Sequence, residues 1–597
     1  MDTSLSRLTS VAARIADGLS PEPEEDLDTP ALMTFWNTNK YPLLALNHDN
    51  GWKGLYEMTE FQAARQKQEN LFTSLRAEYI VARDRWAEAG IPCILIKSAG
   101  RFPSFPYTSD NLDVLVKEDQ AGAAAIILKE LGYIELKNIE EPHKYLFRKF
   151  HGGRCVSAIH LHTWVGWNVG FLDDEPIWQN SSISLDDEAV CAPSPEDVIL
   201  ITIAHSFYEN KQFRLADIVK VRECWRQGAL DWSYLEKAAS QRGWLDGLHF
   251  CLLTCAHIEK SLWGETTISK QTLDNWETSL KHHPMIYRYY RKITRRTPVF
   301  LPFVVSFTFS KFLYYGKILR DQHIGLRQKT SEVIKTLIWG IGLKLHIRLQ
   351  SEFLVSLSGP DGSGKTEHAR TLAAALTLCG LRTRYYWSRC GNSWFIRLLS
   401  ALGKTLRHSK SGTDGGKIGA PGRKNRLQNG IVRFLWSYLV SVDMVLTYLF
   451  HVKLKLLRGR MVICDRYVYD AAAEIESSLP AGDRVNGLAV KLMLALTPRP
   501  DAPYLLDLPE EVCAQRKDEN TELEYLQQQR NAYTTLAGHH NLQLKRTDRE
   551  FSDTTDEIIR EVLTSYYDNH KTIIGSLLNR LFPVNSRPLY PQSERVK

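Results

Sequence analysis

The stretch Gly359-Pro360-Asp361-Gly362-Ser363-Gly364-Lys365-Thr366 constrains this chain more than any other, because it supplies every part of a phosphate-binding loop. It follows the β-branched and apolar run Phe353-Leu354-Val355-Ser356-Leu357 and precedes a helix-like segment from Glu367 to Leu378. Glycines let the backbone turn so that successive N–H groups point at one anion, and the next helix adds the positive end of its dipole. In such a loop Gly359, Pro360, Asp361, Gly362, Ser363, Gly364, Lys365 and Thr366 cradle a nucleoside triphosphate. Lys365 reaches the transferred phosphate and the Thr366 hydroxyl ligates Mg²⁺. The competing reading, a plain glycine-rich turn, is disfavoured by the strand–loop–helix context.

At 597 residues the chain exceeds one ordinary domain, and its length suggests about three to four units. We divide it into an amphipathic and acidic segment (1–33), an α+β and helical domain (34–296), a basic helical linker (297–350), a P-loop domain (351–568) and a tail (569–597). The net charge of +7 is mild for this length. It suits phosphorylated substrates or an anionic surface and does not call for nucleic acid. The ten cysteines show no CxxC pair and no metal-ligand spacing, which fits reduced thiols in a cytoplasmic protein. Cys251 and Cys255, one helical turn apart in an apolar stretch, read as a buried pair.

The start, Met1 to Gly18, is amphipathic and lacks the apolar run of a signal peptide. Two later stretches are strongly apolar. Val299 to Ser310 is too short to cross a bilayer, and Asp443 interrupts Phe434 to Phe450, so both read as buried core helices. Basic flanks (Arg295, Arg296, Lys311; Lys453, Lys455, Arg458) leave membrane-surface contact as the minor reading. Ser409 to Asn425, rich in Gly, Lys and Ser, reads as a surface loop.

In the first half we expect a helix from Leu71 to about Glu88, a strand over 91–96, a second over 112–116, a helix over 120–131, and strands near 145–147 and 158–162. Pro193-Ser194-Pro195-Glu196-Asp197 starts a run of helices. The second half alternates strand and helix: 353–357, the loop helix, 383–387, a long insertion, 461–464, 504–508 and 542–545. That alternation indicates a parallel sheet flanked by helices.

A second motif narrows the chemistry. Met461-Val462-Ile463-Cys464-Asp465-Arg466-Tyr467 is an apolar strand ending in a carboxylate and a guanidinium. At a strand's carboxyl end Asp465 holds Mg²⁺ through water or orients an acceptor, and Arg466 offers a fork of donors to an acceptor phosphate. The plain alternative is an Asp-Arg turn.

With these residues the second half resembles the thymidylate kinase family. The resemblance rests on Asp361 in the loop, Asp465-Arg466-Tyr467, the run Tyr504-Leu505-Leu506-Asp507-Leu508-Pro509-Glu510-Glu511, the lid-like Arg516 and Lys517, and Arg530, Tyr533 and Leu536-Ala537. It spans about 351 to 567. It implies in-line transfer of the γ-phosphoryl group of ATP to a small phosphorylated acceptor, with a nucleoside monophosphate foremost. Lys365, Asp361, Asp465, Arg466 and Arg516 are the catalytic set, and Thr366 and Asp465 hold Mg²⁺. Arg516, Lys517 and Arg530 are the candidate sources of transition-state charge. Two runs depart from the family: Trp387-Ser388-Arg389-Cys390-Gly391 and Val468-Tyr469-Asp470-Ala471. The acceptor therefore stays open, as does a homodimer.

The first half, through Gly90 to Ser98 and Asn111-Leu112-Asp113-Val114-Leu115-Val116, resembles a family of uncharacterised nucleotidyltransferase-like proteins over about 34 to 258. Leu131-Gly132-Tyr133, His160-Leu161-His162 and Arg214-Leu215-Ala216-Asp217 are further echoes. Nucleotidyl transfer needs two carboxylates at alternate strand positions, sharing metal ions. Here Asn111 stands at the first, Asp113 at the second, and Asp110 is one step off. His160 and His162 are read as structural, with metal or substrate binding second. The fold class expected is α/β: a P-loop NTPase parallel sheet with flanking helices, joined to an α+β nucleotidyltransferase-like domain with a helical extension. The alternatives to a kinase are a nucleotide-binding regulator without turnover, or nucleotidyltransferase activity in the first half.

Overall fold

The computed structural model describes residues 2–16, 29–46, 53–97, 111–136, 144–167, 169–184, 187–226, 228, 230–295, 299–344, 352–388, 430–477, 484–516 and 523–568. The chain divides into two units. One comprises Met1–Lys149, Val156–Ile341 and Phe582–Lys597; the other comprises Phe150–Cys155 and Gly342–Leu581. The Ser409–Asn425 loop and the tail lie outside the described residues.

The first unit is built on a sheet of β1 (Ile94–Leu95), β2 (Leu112–Leu115), β3 (Ile134–Leu136), β4 (Lys144–His151) and β5 (Arg154–His162), in the order β1-β2-β5-β4-β3. β2 runs parallel to β5, pairing Asp113 with His160 and Leu115 with His162; the β1–β2 and β3–β4 pairs are antiparallel. Every residue of β2 is buried, so Asp113 is a carboxylate set in a core strand. Helix α1 (Thr59–Glu88) starts twelve residues before the expected Leu71. Its polar stretch Arg65 to Asn70 hides the apolar face carried by Phe61, Leu75, Tyr79, Ala82 and Trp86. Trp86 Nε1 donates to the Ala124 carbonyl in α2 (Ala121–Glu130) at 3.1 Å, locking the two helices together. The strand expected over 91–96 shrinks to the two residues of β1.

The helical extension begins where the sequence places it. Ser194 Oγ accepts the Asp197 N–H at 3.2 Å, and Pro195 opens α3 (Pro195–Ala204). α4 (Leu215–Arg226) and α5 (Leu245–Trp263) are tied by a buried pair, Arg222 Nε to Glu259 Oε1 at 3.0 Å, with the Arg222 guanidinium 4.2 Å from the Trp263 ring. Cys251 and Cys255 are buried in α5 as free thiols, and burial raises the proton affinity of both. The apolar stretch Val299–Ser310, read from sequence as a core helix, is extended up to Ser306: Phe303–Val304 pairs antiparallel with Gln212–Phe213 and a helix starts only at Phe307.

The second unit has five parallel strands, β6 (Phe353–Ser358), β7 (Thr383–Trp387), β8 (Met461–Asp465), β9 (Ala502–Asp507) and β10 (Gln543–Arg546), in the order β7-β8-β6-β9-β10. β6 and β8 are buried throughout, which is why they read as continuous apolar runs rather than alternating ones. Alternate side chains then serve opposite faces. Leu354, Val462, Cys464 and Leu505 pack on α7 (Gly430–Tyr448), α8 (Val468–Ser477), α9 (Arg484–Leu496) and α11 (Leu523–His540), leaving α10 (Glu510–Arg516) as a short link. On the other face Phe353 meets Tyr566 of α12 (Phe551–Asp568) edge-on, and α12 contacts α6 (Lys365–Leu378) through His368 and Thr555. α7 is only half the buried helix expected: Val440, Met444 and Tyr448 are in the core, while Leu435, Leu439 and Val442 are exposed. Among the described residues no helix is long and apolar enough to cross a membrane.

Candidate functional site

In the second unit the chemistry gathers where β6 and β8 end, the crevice in which open α/β sheets bind ligands. The loop leaves β6 through Gly359, whose φ of 151° and close approach to β9 admit no side chain: a Cβ there would lie 2.4 Å from the Leu506 carbonyl oxygen. Gly362 and Gly364 also take left-handed φ (95° and 80°), and α6 begins directly at Lys365. The loop therefore ends on a helix N-terminus with its partial positive charge. Between the glycines Ser363 is fully buried and its hydroxyl has no hydrogen-bond partner.

Lys365 is buried, and its Nζ donates to the carbonyls of Gly359 and Pro360 at 2.7 Å each. Burial lowers its proton affinity, against the pull of Asp470, Asp361 and Asp465, with Arg466 adding to the lowering. Thr366, exposed at the first turn of α6, donates its hydroxyl to Asp465 Oδ2 at 2.7 Å. Tyr385 of β7 donates to the same oxygen at 2.6 Å. Asp465 Oδ1 is buried and makes no hydrogen bond. Asp465 thus presents one oxygen that is fixed by two hydroxyls and one that is unsatisfied, beside the Thr366 hydroxyl. That donor set of hard oxygens fits Mg²⁺.

Arg466 follows with a φ of 73°, a left-handed backbone rare for a residue with a side chain and common at functional positions. Its guanidinium pairs with Asp361 Oδ1 at 2.5 Å, and Lys365 Nζ lies 3.8 Å from the same oxygen. Burial works against the Arg466 charge, but Asp470 and Asp361 hold its proton affinity above the ordinary arginine value. The resemblance of the second half implies that Arg466 grips the acceptor phosphate and that Asp361 contacts an acceptor hydroxyl or supports its geometry. In this structure the two side chains hold each other, across the gap between loop and strand end.

Two residues at this site escape sequence reading. Tyr385 sits on an edge strand whose half-buried pattern gives no hint that its hydroxyl reaches Asp465. Asp470 is the other: its Oδ2 accepts the Tyr467 N–H at 2.8 Å, while Oδ1 accepts the Tyr533 hydroxyl at 2.8 Å and the Gly359 N–H at 3.4 Å. The acidic residue three positions after Tyr467 is the signal that was available, since a carboxylate there reaches back to cap the helix. Asp470 joins loop, strand end and α11 in one buried network. Asp470→Ala is expected to lower unfolding stability by about 3 kcal/mol, by stranding a buried N–H and a buried hydroxyl. Urea unfolding measures it, and an unchanged midpoint would show that the network carries no energy.

The lid-like residues fall out unevenly. Arg530 forks onto Asp507 (2.8 and 2.9 Å) and reaches Glu510 at 2.7 Å, and these carboxylates raise its proton affinity. It clamps α11 to the end of β9 rather than standing open as a cation for transition-state charge. Arg516 ends α10, and its side chain, like Lys517, lies outside the described residues.

In the first unit Asp113 is buried and surrounded. His162 Nε2 donates to its Oδ1 at 2.8 Å, Lys97 Nζ is 3.2 Å from the same oxygen, and His160 Nδ1 is 3.5 Å from it. The Asn111 amide donates to Oδ2 at 3.2 Å and lies 2.9 Å from His160 Nδ1. Burial alone would raise the Asp113 pKa; Lys97 and the two histidines hold it well below the carboxylate range. His160 and His162, read from the sequence as structural, are here partners of the Asp113 carboxylate. Both Asp113 oxygens are engaged, and an amide stands where a second carboxylate would be. Among the described residues, which do not include Asp110, this donor set does not fit a divalent ion and no group of three His, Cys, Asp or Glu side chains forms a metal site.

Burial holds His162 down to about 4 from its ordinary 6.5, and lowers His160 as well. The folded imidazole refuses a proton that the unfolded one accepts. The stabilising effect is complete above pH 6.5 and is lost as pH falls toward 4, on the order of 3 kcal/mol for His162. Denaturation midpoints taken between pH 7.5 and 4 should fall, and the fall should be shallower in His162→Gln.

No curated protein matches the chain. Among solved structures, the crystal structure of thymidylate kinase from Ehrlichia chaffeensis aligns over 36% of this chain and 99% of that one, at 17% identity and a TM-score of 0.24. Residues 56–259 match a family model described as an uncharacterised nucleotidyltransferase, so the sheet bearing Asn111, Asp113, His160 and His162 is similar to that family's domain.

Proposed function

We propose that the second unit is a Mg²⁺-dependent ATP phosphotransferase acting on a small phosphorylated acceptor, with a nucleoside monophosphate as the leading class. The observation that carries this reading is Asp465, fixed by Thr366 and Tyr385 through one oxygen and left with a buried, unpartnered oxygen beside the phosphate loop. A carboxylate placed this way would serve any loop that binds a Mg²⁺–nucleotide; the Arg466 guanidinium beside it, paired with Asp361, is what favours transfer to an acceptor over binding alone. Thr366 and Asp465 would hold Mg²⁺, whose charge would offset that of the nucleotide's phosphates. Lys365 exchanges the Gly359 and Pro360 carbonyls for phosphate oxygens. Asp361 and Arg466, paired across the gap, part to take an acceptor hydroxyl and an acceptor phosphate. Phosphoryl transfer then rests on positioning and charge neutralisation, with no covalent step on the protein.

The test is ATP consumption measured across nucleoside monophosphates, nucleosides and phosphosugars, with Lys365→Ala and Arg466→Ala as controls. Turnover with one acceptor class, abolished in Lys365→Ala, is expected. ATP binding without turnover on any acceptor would leave the regulatory reading in its place.

A further inference from the structure

The 40 residues from Lys281 to Arg320 hold nine lysines and arginines and no aspartate or glutamate. Two of these cations are turned to carboxylates of the fold, Lys317 to Asp321 at 2.6 Å and Arg320 to Asp246 at 2.8 Å. Arg291 lies 3.9 Å from Glu277. Arg288, Lys292 and Arg295 are exposed, and among the described residues none of them has a carboxylate partner.

The side chains that project beside these charges are apolar. Along the extended segment alternation sends Phe303 and Val305 inward and Val304 outward, 68% exposed. Phe307, at the start of the helix Phe307–Arg320, is 59% exposed, and Met285 of the helix Pro284–Thr294 is 65% exposed. The base under them is fixed. Phe309 stacks on Tyr289 with ring centres 3.9 Å apart, and the Tyr289 hydroxyl accepts the Ser306 N–H at 2.9 Å. Ser310 Oγ donates to the Phe207 carbonyl at 3.1 Å. Tyr289 shares one face of its helix with Met285, Arg288 and Lys292, so the two helices bring exposed apolar and basic residues to one surface. Two ammonium groups flank Phe307: Lys211 Nζ is 5.7 Å and Lys311 Nζ 5.9 Å from its ring centre. Lys211 donates to the Glu209 carbonyl at 2.7 Å, and the Glu209 charge partly offsets the effect of burial on its proton. Burial and the charge of Lys211 lower the proton affinity of Lys311, which an anion brought to the pair would reverse.

We propose that this face docks on an anionic lipid surface. Val304 and Phe307 enter the boundary of the acyl chains, while Lys211, Lys311, Arg288 and Lys292 meet headgroup phosphates. A basic surface would also suit nucleic acid, but that partner offers no place for Val304 and Met285, aliphatic side chains held out in water. The face lies beyond residues 56–259, where the family match ends, and the inference does not rest on the phosphotransferase reading of the other unit.

The full chain is sedimented with vesicles of phosphatidylcholine and of phosphatidylcholine mixed with phosphatidylserine, in low and in high salt. Binding to the mixed vesicles is expected, on the order of tenfold tighter than to phosphatidylcholine alone and weakened by high salt. Val304→Ser with Phe307→Ser should weaken it on the order of tenfold. Arg288→Gln with Lys292→Gln should weaken it and flatten its salt dependence. All four side chains are exposed, so both variants should fold, and thermal melts matching the native chain verify this. The proposal is overturned by a folded serine variant that binds as the native chain does, by equal binding to both kinds of vesicle, or by no vesicle binding at all. In the last case retention of duplex DNA would give the face to nucleic acid, and a dimer that the serine pair dissociates would give it to a second copy.

Discussion

Lys365→Ala should lower ATP turnover by about a thousandfold or more while leaving the protein folded. Removing one preorganised charge from the transferred phosphoryl group typically costs a factor of about 10² to 10³, and in the proposed reaction the same side chain would also anchor the ground-state triphosphate. The structure adds a reason for the effect to be clean. Lys365 Nζ spans the loop between the Gly359 and Pro360 carbonyls, so the ammonium proposed to bind phosphate also braces the loop. Without it the loop loses both its internal brace and its ligand cation. The β6 strand and α6, however, keep their burial against α12. Initial rates with saturating acceptor, alongside a thermal melt, separate the two effects. Turnover within tenfold of the native value would mean that the loop is not where the phosphoryl group is held.

Asp465→Asn is the second large effect, expected to reduce turnover by about a hundredfold to a thousandfold. The substitution keeps shape but replaces a hard anionic oxygen by an amide. If the amide oxygen stays toward Thr366 and Tyr385, its NH₂ group takes the position of Oδ1, the unpartnered atom that suits Mg²⁺. The Mg²⁺ concentration giving half-maximal rate should rise with the loss of rate, a readout that simple misfolding would not produce. A rate defect with an unchanged Mg²⁺ dependence would assign Asp465 to orienting the acceptor instead.

The parts of this molecule that were legible in the sequence are those dictated by local chemistry. Strands β6 and β8 are buried on both faces, so their apolar runs announce them, and the glycines between β6 and α6 sit at backbone angles that other residues avoid. Asp465 and Arg466 could be named because they stand where a strand must end. What stayed hidden depends on partners distant in the chain. Nothing local to Tyr385 tells that its hydroxyl reaches residue 465, and Arg530 reads as an open lid cation until Asp507 and Glu510 are seen to hold it. The sequence pattern hides the first three turns of α1 because the polar residues 65–70 break its apolar face, although Gln68 there secures the Leu43 N–H at 2.8 Å. Phe303–Val304 was expected to be helical because its partner strand, Gln212–Phe213, lies some ninety residues upstream.

The strand order of the second unit has a bearing on how the chain is made. β6 is synthesised first yet pairs only with β8 and β9, and β7 pairs only with β8. About a hundred residues separate the end of β6 from the start of β8. At about 5–20 residues per second, the ribosome leaves β6 without a partner for about 5–20 s and β7 for about 4–15 s. During that interval Phe353 to Leu357 is an exposed apolar segment, a natural client for a chaperone. β8 is the segment whose emergence ends the exposure, because it bridges both orphan strands at once. The Asp-Arg pair at its end is thereby delivered to the phosphate loop in the same event that first closes the sheet.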